Sequence, residues 1–487
     1  MKKFLPVLLF AMLTAVACLK TGTIYDSMSI SLCSGEGPWS SGEENPGPVE
    51  NPFVQTSEKP VSTFSVDADG ASFSYTRRCL RMGWIPAPGT IRIEEFLNYF
   101  TFDYPDPIGP ETLAINAEMG VCPWNTDHRL LRLGLKGKSL SDNEIPDANY
   151  ILLIDVSGSM AGDDRLELLK SGLLNMLEYM HPNDRIAIIT YSGKVSKVLE
   201  STLLSEGKDA VRRAIQSLRA SGSTAGGAAM KMAYEEASAH YITGGNNRII
   251  MCTDGDFNVG VTSTDELTAM VESYQEKGIY LSIMGFGMGN YQDSRMEQLS
   301  NVGNGTYTYI DSEEEMMKVF VEERSHLVSV ANDTKCQVRF HPEVVSAYRL
   351  LGYENRLLSE EDFEDDKKDA GEIGAGQTVT ALYELVMADA AEGSPATFEV
   401  RYKQALGAES RALELPVPAA LSDSENLRFA SAVAAFGLCL SQSEYKGTAS
   451  CSLARELLSD AVSFDPGSHR ATLQALIEHA SSLTEGQ

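Results

Sequence analysis

The sequence predicts an α/β fold centred on a doubly wound parallel sheet, with a β-sandwich-like unit and a C-terminal helical segment beside it. Residues 149–155 and 248–253 are almost uninterrupted apolar runs. Such runs are typical of parallel strands that helices cover on both faces. Between residues 147 and 325, strand-like stretches alternate with stretches of helical periodicity. This alternation indicates a parallel sheet wrapped on both sides.

Residues 1–18 are predicted to be a signal peptide. Two lysines precede the apolar run 4–17, which is too short to span a membrane but suits an export signal. The sequence Ala15-Val-Ala-Cys18 resembles the bacterial lipobox, so Cys18 is the predicted lipidation site, with ordinary cleavage near Ala17 as the alternative. We therefore expect an exported protein of the cell envelope, lipid-anchored to a bacterial membrane on its periplasmic or surface face.

Residues 19–60 are rich in Gly, Pro, Ser and Glu and are predicted to form a flexible tether, because they offer little apolar surface to bury. Four units are expected after it: an N-terminal α+β region at 61–146, the sheet domain at 147–325, a β-sandwich-like region at 326–420 and helices at 421–487. Two candidate strands of the first unit, 111–121 and 129–135, have no partner there. We expect them to complete the sandwich, which would make the sheet domain an insertion.

Hydrophobic spacing sets the individual elements. In the N-terminal region it predicts a strand at 62–67 and helices at 71–82 and 91–100. In the sheet domain it predicts strands at 149–155, 185–191, 195–200, 248–253, 279–286 and 306–310, and helices at 163–180, 207–219, 226–241, 264–277, 293–302 and 312–325. After residue 330 it predicts strands at 334–340, 343–352, 377–387, 397–403 and 411–416, an acidic loop at 360–366, and helices at 427–440, 453–462 and 469–483.

The composition excludes some partners. The 487 residues include 68 acidic and 40 basic side chains, a formal charge of −28. This balance argues against nucleic-acid binding and against electrostatic docking on anionic lipid, so the lipid anchor is the expected membrane contact. Seven cysteines follow Cys18 without a Cys-x-x-Cys pair, which gives no support to a zinc site. Cys439 and Cys451 lie across a predicted helix–turn–helix, where an oxidising compartment would permit a disulfide.

Oxygen-bearing side chains follow the two buried strands. Asp155, Ser157 and Ser159 form an Asp-x-Ser-x-Ser signature after the first strand, and Asp254 ends the second. Thr224 lies in a loop of small residues at 218–227. Open α/β sheets bind ligands at the carboxyl ends of their strands, and these hard oxygen donors suit Mg²⁺.

With this set the chain resembles the von Willebrand factor type A (VWA) domain and its metal-ion-dependent adhesion site. Several short segments are similar to segments of bacterial YfbK-like VWA lipoproteins, namely Ser62-Thr-Phe-Ser-Val-Asp67, Ile91-Arg-Ile-Glu-Glu95 and Asn98-Tyr-Phe100. The resemblance covers about residue 50 to the C-terminus. It implies that Asp155, Ser157, Ser159, Thr224 and Asp254 hold Mg²⁺ (or Mn²⁺ or Ca²⁺). It also implies a partner protein that supplies an Asp or Glu carboxylate to the cation.

Nothing in the sequence points to catalysis. The two serines have no histidine in their motif, and no Walker loop, Gly-x-Ser-x-Gly elbow or zinc cluster is present. We therefore expect a binding protein and not an enzyme. Two alternatives stay open: a hydrolase or phosphatase that uses the same metal to activate water, with Asp256 as the candidate base, and a scaffold whose metal is purely structural.

Overall fold

The computed structural model describes residues 49–222, 227–255, 264–287, 293–389 and 391–485. Its helices are α1 Ala71–Arg81, α2 Ile93–Asn98, α3 Leu166–Tyr179, α4 Leu204–Ser217, α5 Gly227–Ala239, α6 Thr264–Gln275, α7 Asp293–Val302, α8 Glu313–Met317, α9 Glu360–Glu364, α10 Glu425–Leu440, α11 Cys451–Ser459 and α12 His469–Glu485. Its strands are β1 Val54–Gln55, β2 Val61–Ser65, β3 Leu113–Val121, β4 Arg129–Gly137, β5 Ala148–Asp155, β6 Arg185–Tyr191, β7 Val195–Leu203, β8 Asn246–Thr253, β9 Ile279–Phe286, β10 Tyr307–Ile310, β11 Ser329–Phe340, β12 Val345–Leu351, β13 Leu357–Leu358, β14 Gly371–Gly374, β15 Thr378–Met387, β16 Ala396–Lys403 and β17 Ser410–Pro416.

The central sheet has the strand order β10-β9-β8-β5-β6-β7. All eight residues of β5 are buried, and alternate side chains enter two different cores. Ile151 and Leu153 pack on one face in the core that includes α5, α6 and α7, whereas Leu152 and Ile154 pack on the other face with α3 and α4. The predicted doubly wound α/β domain is therefore confirmed.

One strand of this sheet departs from the prediction. β7 runs antiparallel to β6, with Tyr191 opposite Val195, whereas the other strand pairs of the sheet are parallel. The connection 192–194 explains the difference, because a short turn can join only antiparallel neighbours. The sheet is therefore mixed at one edge, and its parallel part contains the strand ends that carry the candidate site.

Two further sheets form the predicted β-sandwich. Their orders are β1-β12-β15-β4-β3 and β13-β2-β11-β16-β17, with β14 also paired to β11. Phe64, Val338 and Phe398 from one sheet and Leu133 and Tyr383 from the other lie in one shared core. β4 pairs with β15 over Arg129–Lys136, so the strands that precede the central sheet complete the sandwich as expected. The central domain is inserted between the two halves of this unit.

Two predicted boundaries are wrong. The predicted tether 19–60 is too long, because Val54 and Gln55 pair with β12 and Asn51 donates to the carbonyls of Leu350 and Gly352. Residues 19–48 lie outside the described residues. The predicted acidic loop 360–366 contains helix α9, which begins with a capping box from Ser359. The spacing of apolar residues could not reveal these two segments. Residues 54–55 are held by backbone pairing to a strand that is distant in the sequence, and helix α9 is stabilised at its start by a capping box.

The C-terminal helices α10, α11 and α12 pack against the N-terminal region. Phe429 and Phe436 of α10 share a core with Phe73 of α1 and with Phe96 and Phe100 in and after α2. The Phe100 and Phe429 rings meet edge to face with centroids 5.1 Å apart. No helix among the described residues is long and apolar enough to cross a membrane.

Glu94 of α2 is buried in an unusual environment. Its side chain is 1% exposed, and Oε2 has no hydrogen-bond partner among the described residues. Burial, with the nearby carboxylates of Glu354 and Asp67, raises the pKa of Glu94 to about 8. The folded protein therefore holds this proton at pH values where the unfolded chain has released it.

We expect the free energy of unfolding to fall as the pH rises from about 4.5 to about 8, because the folded state binds the extra proton throughout that window. Glu94→Gln should flatten this dependence, with a gain of ~1–3 kcal/mol at pH 8 relative to the parent. Urea denaturation at pH 5 and pH 8 measures the effect, with the exposed Glu409→Gln as the matched control. Parallel pH profiles for the parent and Glu94→Gln would show that Glu94 is not the group that titrates.

Candidate metal centre

The loop after β5 brings a carboxylate and two hydroxyls together. Asp155 is the last residue of β5 and is fully buried, and its Oδ1 accepts a hydrogen bond from the backbone N–H of Ser157 at 2.7 Å. The Ser157 and Ser159 hydroxyl oxygens are 2.8 Å apart. Ser157 is buried, whereas Ser159 is exposed. The loop therefore presents Ser159 at the surface, with Ser157 and the Asp155 carboxylate buried behind it.

The second carboxylate lies at the same edge of the sheet. β5 and β8 are parallel neighbours with Ile154 opposite Cys252, so the chain reaches Asp254 just beyond the level of Asp155. The backbone N–H of Gly255 donates to the Thr253 hydroxyl at 3.2 Å, which folds the chain back directly after the strand. The strand register therefore brings the ends of the two motifs together, although they are about 100 residues apart in the sequence.

Tyr191 lies close to both carboxylates. It ends β6 opposite Asp155 and is fully buried. Burial raises the pKa of Tyr191 well above its ordinary value, and the negative charges of Asp155 and Asp254 raise it further. Burial and the two aspartates therefore keep this hydroxyl protonated, although its hydrogen bond to Thr253 acts in the opposite direction.

A third loop reaches the same point. The N–H of Ser221 donates to the carbonyl of Val156 at 2.7 Å, and the N–H of Gly158 donates to the carbonyl of Gly222 at 2.9 Å. Gly222 has a φ of +91°, which favours glycine at this close approach. These bonds tie the small-residue loop to the serine loop two residues before Thr224, which itself lies outside the described residues. Asp256 and Cys18 lie outside them as well.

Arg165 lies beside the serine loop, and sequence reasoning missed it. Its Nη1 donates to the carbonyl of Ser159. Gly287, after β9, has a φ of +77°, and a Cβ added there would lie 2.2 Å from the Arg165 Nε. A side chain at this position would therefore collide with the guanidinium. Tyr191 was missed too, although its place at a strand end beside Asp155 was a usable signal. Nothing in the spacing of the sequence pointed to Arg165.

Among the described residues, the two serine hydroxyls lack the histidine partner of an activated nucleophile. Within the described part of the chain, the Ser157 and Ser159 hydroxyls are hydrogen-bonded to each other, and no histidine shares that bond. Hydroxyls without an adjacent base are poor nucleophiles. They are neutral oxygen donors, and with two aspartates near them they are chemically suited to a hard divalent cation.

Among the described residues, two other clusters of side chains could hold a metal ion: Asp147, His181 and Asp184, and Asp333, Asp369 and Glu372. Both already have partners in the protein. The carboxylate of Asp184 accepts the backbone N–H groups of Ala148 and His181 at 2.7 and 2.6 Å. The Lys403 ammonium lies 2.5 Å from Asp333 Oδ2. Sequence reasoning found neither group, because tertiary packing brings their members together.

Comparison with known proteins shows the family to which the chain belongs. Residues 150–256 match the von Willebrand factor type A domain family, and residues 41–132 match a family described as von Willebrand factor. Residues 325–398 and 387–483 match the family described as uncharacterized protein YfbK, C-terminal. The Escherichia coli (strain K12) protein named Uncharacterized protein YfbK is 38% identical over 464 residues, which cover 90% of this chain and 80% of that protein. The chain belongs to the YfbK family.

More distant proteins resemble parts of this YfbK-family chain. The uncharacterized protein sll0103 of Synechocystis sp. (strain ATCC 27184 / PCC 6803 / Kazusa) is 26% identical over 198 residues, 40% of this chain and 45% of that protein. A solved structure of a von Willebrand factor type A protein from Catenulispora acidiphila is 14% identical and covers 77% of this chain and 91% of its own, with a TM-score of 0.43. The family models and the 38% identity to YfbK confirm the family resemblance predicted from the sequence, and the lipid anchor stays a prediction.

Proposed function

We propose that this YfbK-family protein is an envelope-anchored binding module that grips an acidic side chain of a partner protein through a divalent cation. Asp155, Ser157, Ser159, Thr224 and Asp254 would hold the cation, which is Mg²⁺ or, with similar chemistry, Mn²⁺ or Ca²⁺. Cys18 would carry the lipid that anchors the chain to a bacterial membrane. The observation that carries the proposal is the contact between the hydroxyls of buried Ser157 and exposed Ser159 after β5, with the Asp155 carboxylate bonded to the Ser157 N–H.

The spacing of the hydroxyls supports the cation. Neighbouring ligands on an octahedral Mg²⁺, each at about 2.1 Å, lie about 3 Å from each other. The two hydroxyl oxygens are 2.8 Å apart. This distance is close to the separation that two ligands of one shared ion require. The hydrogen bond from the Ser157 N–H to Asp155 fixes the loop and therefore this distance.

The charges of the site support a carboxylate partner. Serine and threonine hydroxyls are neutral, so a cation that they contact directly keeps much of its charge. When bound, the cation supplies an electrophilic position that attracts a carboxylate oxygen. Ser159 is exposed, which leaves this position within reach of a partner. The Arg165 guanidinium beside the Ser159 carbonyl adds positive charge at the rim.

Removal of both hydroxyls tests the proposal. The double variant Ser157→Ala, Ser159→Ala should lose the capture of envelope proteins that the parent shows in Mg²⁺ but not in EDTA. We expect at least a ~10-fold loss, because both neutral ligands are removed. Quantitative pull-down from envelope extract with residues 49–487 measures it, and circular dichroism checks the fold.

Ser217→Ala is the matched control, since its exposed hydroxyl only bonds the Ala214 carbonyl at the end of α4. It should capture partners like the parent. Equal capture by the double variant would refute a metal bridge at these serines. Release of phosphate or of hydrolysis products by the parent, lost in the same variant, would support the hydrolase instead.

A further inference from the structure

Two cysteine sulfurs face each other where α10 meets α11. Cys439 lies in the last turn of α10, and Cys451 is the first residue of α11. Their Sγ atoms are 3.9 Å apart, which is too far for a bond of about 2.05 Å, so the two residues are not joined by a disulfide in this structure. A disulfide requires the two sulfurs to approach each other by about 2 Å.

This pair differs from the other described cysteines. Cys79, Cys122, Cys252 and Cys336 are at most 2% exposed and lie within cores. Burial raises the pKa of each of these thiols, that of Cys122 to about 12, so they are inert at neutral pH. Cys439 is half-buried and can be reached from solvent.

The surroundings of Cys439 favour its thiolate. The Cys451 thiol is hydrogen-bonded to it, the backbone N–H of Cys451 points to the same sulfur, and the Lys446 ammonium adds positive charge. Together they lower the pKa of Cys439 to about 6. The start of α11, where Ser450 caps the helix, therefore stabilises a negative sulfur as helix N-termini generally do.

We propose that Cys439 and Cys451 form a redox-active dithiol that exchanges with disulfides. The Cys439 thiolate attacks one sulfur of a disulfide RSSR, which forms a mixed disulfide and releases RS⁻. The Cys451 sulfur then attacks the Cys439 sulfur, and its proton goes to the second departing RS⁻. The first RS⁻ takes up a proton from solvent, which replaces the one that Cys439 lost when it ionised. In total, one dithiol and one RSSR yield an internal disulfide and two RSH.

The bond would brace a connection that holds the C-terminal helices to the N-terminal region. The N–H of Thr448 donates to the carbonyl of Trp124 at 3.0 Å. A Cβ on Gly447, whose φ is +50°, would lie 2.3 Å from the same oxygen. The ring of Tyr445 packs edge to face on Phe53 with centroids 5.8 Å apart. Oxidation would thus join the two ends of the connection 439–451, whose middle part already contacts Trp124 and Phe53.

Peptide mapping after exposure to oxidised glutathione tests the proposal on the full, reduced chain. Trypsin cuts after Arg428, Lys446 and Arg455, so Cys439 and Cys451 fall in separate peptides, 429–446 and 447–455. After quenching with N-ethylmaleimide, mass spectrometry should find these two peptides joined and without bound glutathione. In Cys451→Ser the 429–446 peptide should instead keep one glutathione, because the second step is blocked.

Lys446→Gln provides a check on the electrostatics. It should move the pH midpoint of Cys439 alkylation upward without preventing the bond, because one of three stabilising contacts is lost. Trypsin no longer cuts at position 446 in this variant, so a chymotryptic digest is used for it. The proposal is overturned if Cys439 reacts no faster than the buried Cys122, or if the parent accumulates a stable glutathione adduct. The Ser157→Ala, Ser159→Ala variant should still form the bond, so the metal and thiol proposals fail independently.

Discussion

Replacing Asp155 by alanine is expected to weaken the binding of Mg²⁺ or Mn²⁺ by ~10–100-fold, the usual cost when a group that orients the metal ligands is lost. Asp155 is fully buried, and its Oδ1 holds the N–H of Ser157 at 2.7 Å. Without that carboxylate, the serine loop loses the bond that orients its hydroxyls, and the site loses a negative charge. Isothermal titration with each metal measures the change.

Asp155→Asn separates the two contributions. Asparagine keeps an oxygen that can accept the Ser157 N–H but removes the charge. If geometry matters most, the Asn variant should retain much of the metal affinity that the Ala variant loses. If charge matters most, both variants should bind metal equally poorly while the Asn variant melts close to the parent.

The exposed Asp209→Ala in α4 is the matched control, because it removes one carboxylate of the same domain far from the strand ends. It should bind metal like the parent. Parental affinity in Asp155→Ala, with the fold intact by circular dichroism, would show that the cation binds elsewhere. The acidic group of Asp333, Asp369 and Glu372 would then be the next site to test.

The sequence predicted the parts of the fold that local patterns determine. The apolar runs at 149–155 and 248–253 became β5 and β8 with ends within two residues, because strands buried on both faces require such runs. The partnerless strands at 111–135 pointed correctly to the sandwich. The direction of β7 and the pairing of residues 54–55 were missed, since short turns and backbone pairing leave little trace in hydrophobic spacing.

The candidate site divides in the same way. Asp155, Ser157 and Ser159 lie within five residues of each other, and Asp254 directly follows a recognisable strand, so the motif and the parallel register were enough to bring them to one edge. Tyr191 reaches that edge at the end of β6, whereas Arg165 joins it through its contact with the Ser159 carbonyl. The approach of Cys439 to Cys451 depends on how α10 and α11 pack, which the spacing of 12 residues permits but does not require.

Replacing Arg77 by methionine is expected to lower the free energy of unfolding by ~3–5 kcal/mol, the usual cost of removing one member of a buried ion pair. Arg77 of α1 is 3% exposed, and its Nη2 lies 2.5 Å from Asp311 and 2.6 Å from Glu315. Its Nη1 donates to the Tyr99 hydroxyl at 2.5 Å. Urea denaturation measures the loss.

Arg81→Met is the matched control on the same helix. Arg81 lies 3.5 Å from Glu314, with exposed fractions of 44% and 74%, so water already screens the pair. Its loss should cost less than ~1 kcal/mol. Similar losses of unfolding free energy in the two variants would contradict the view that the buried Arg77 ion pairs stabilise the contact between the N-terminal region and the sheet domain.

The stability lost in Arg77→Met should reflect mainly the cost of burying the Asp311 and Glu315 carboxylates without a cation. The loss of the electrostatic attraction between Arg77 and these carboxylates should contribute less. Taking charges out of water costs several kcal/mol for each ion, and the arginine offsets that cost for Asp311 and Glu315 together. Neutralising the acids by Asp311→Asn and Glu315→Gln in the Arg77→Met background should therefore restore part of the stability. A triple variant less stable than Arg77→Met would mean that the carboxylates have other stabilising partners, and that Arg77 acts by packing against Tyr99 and Phe73.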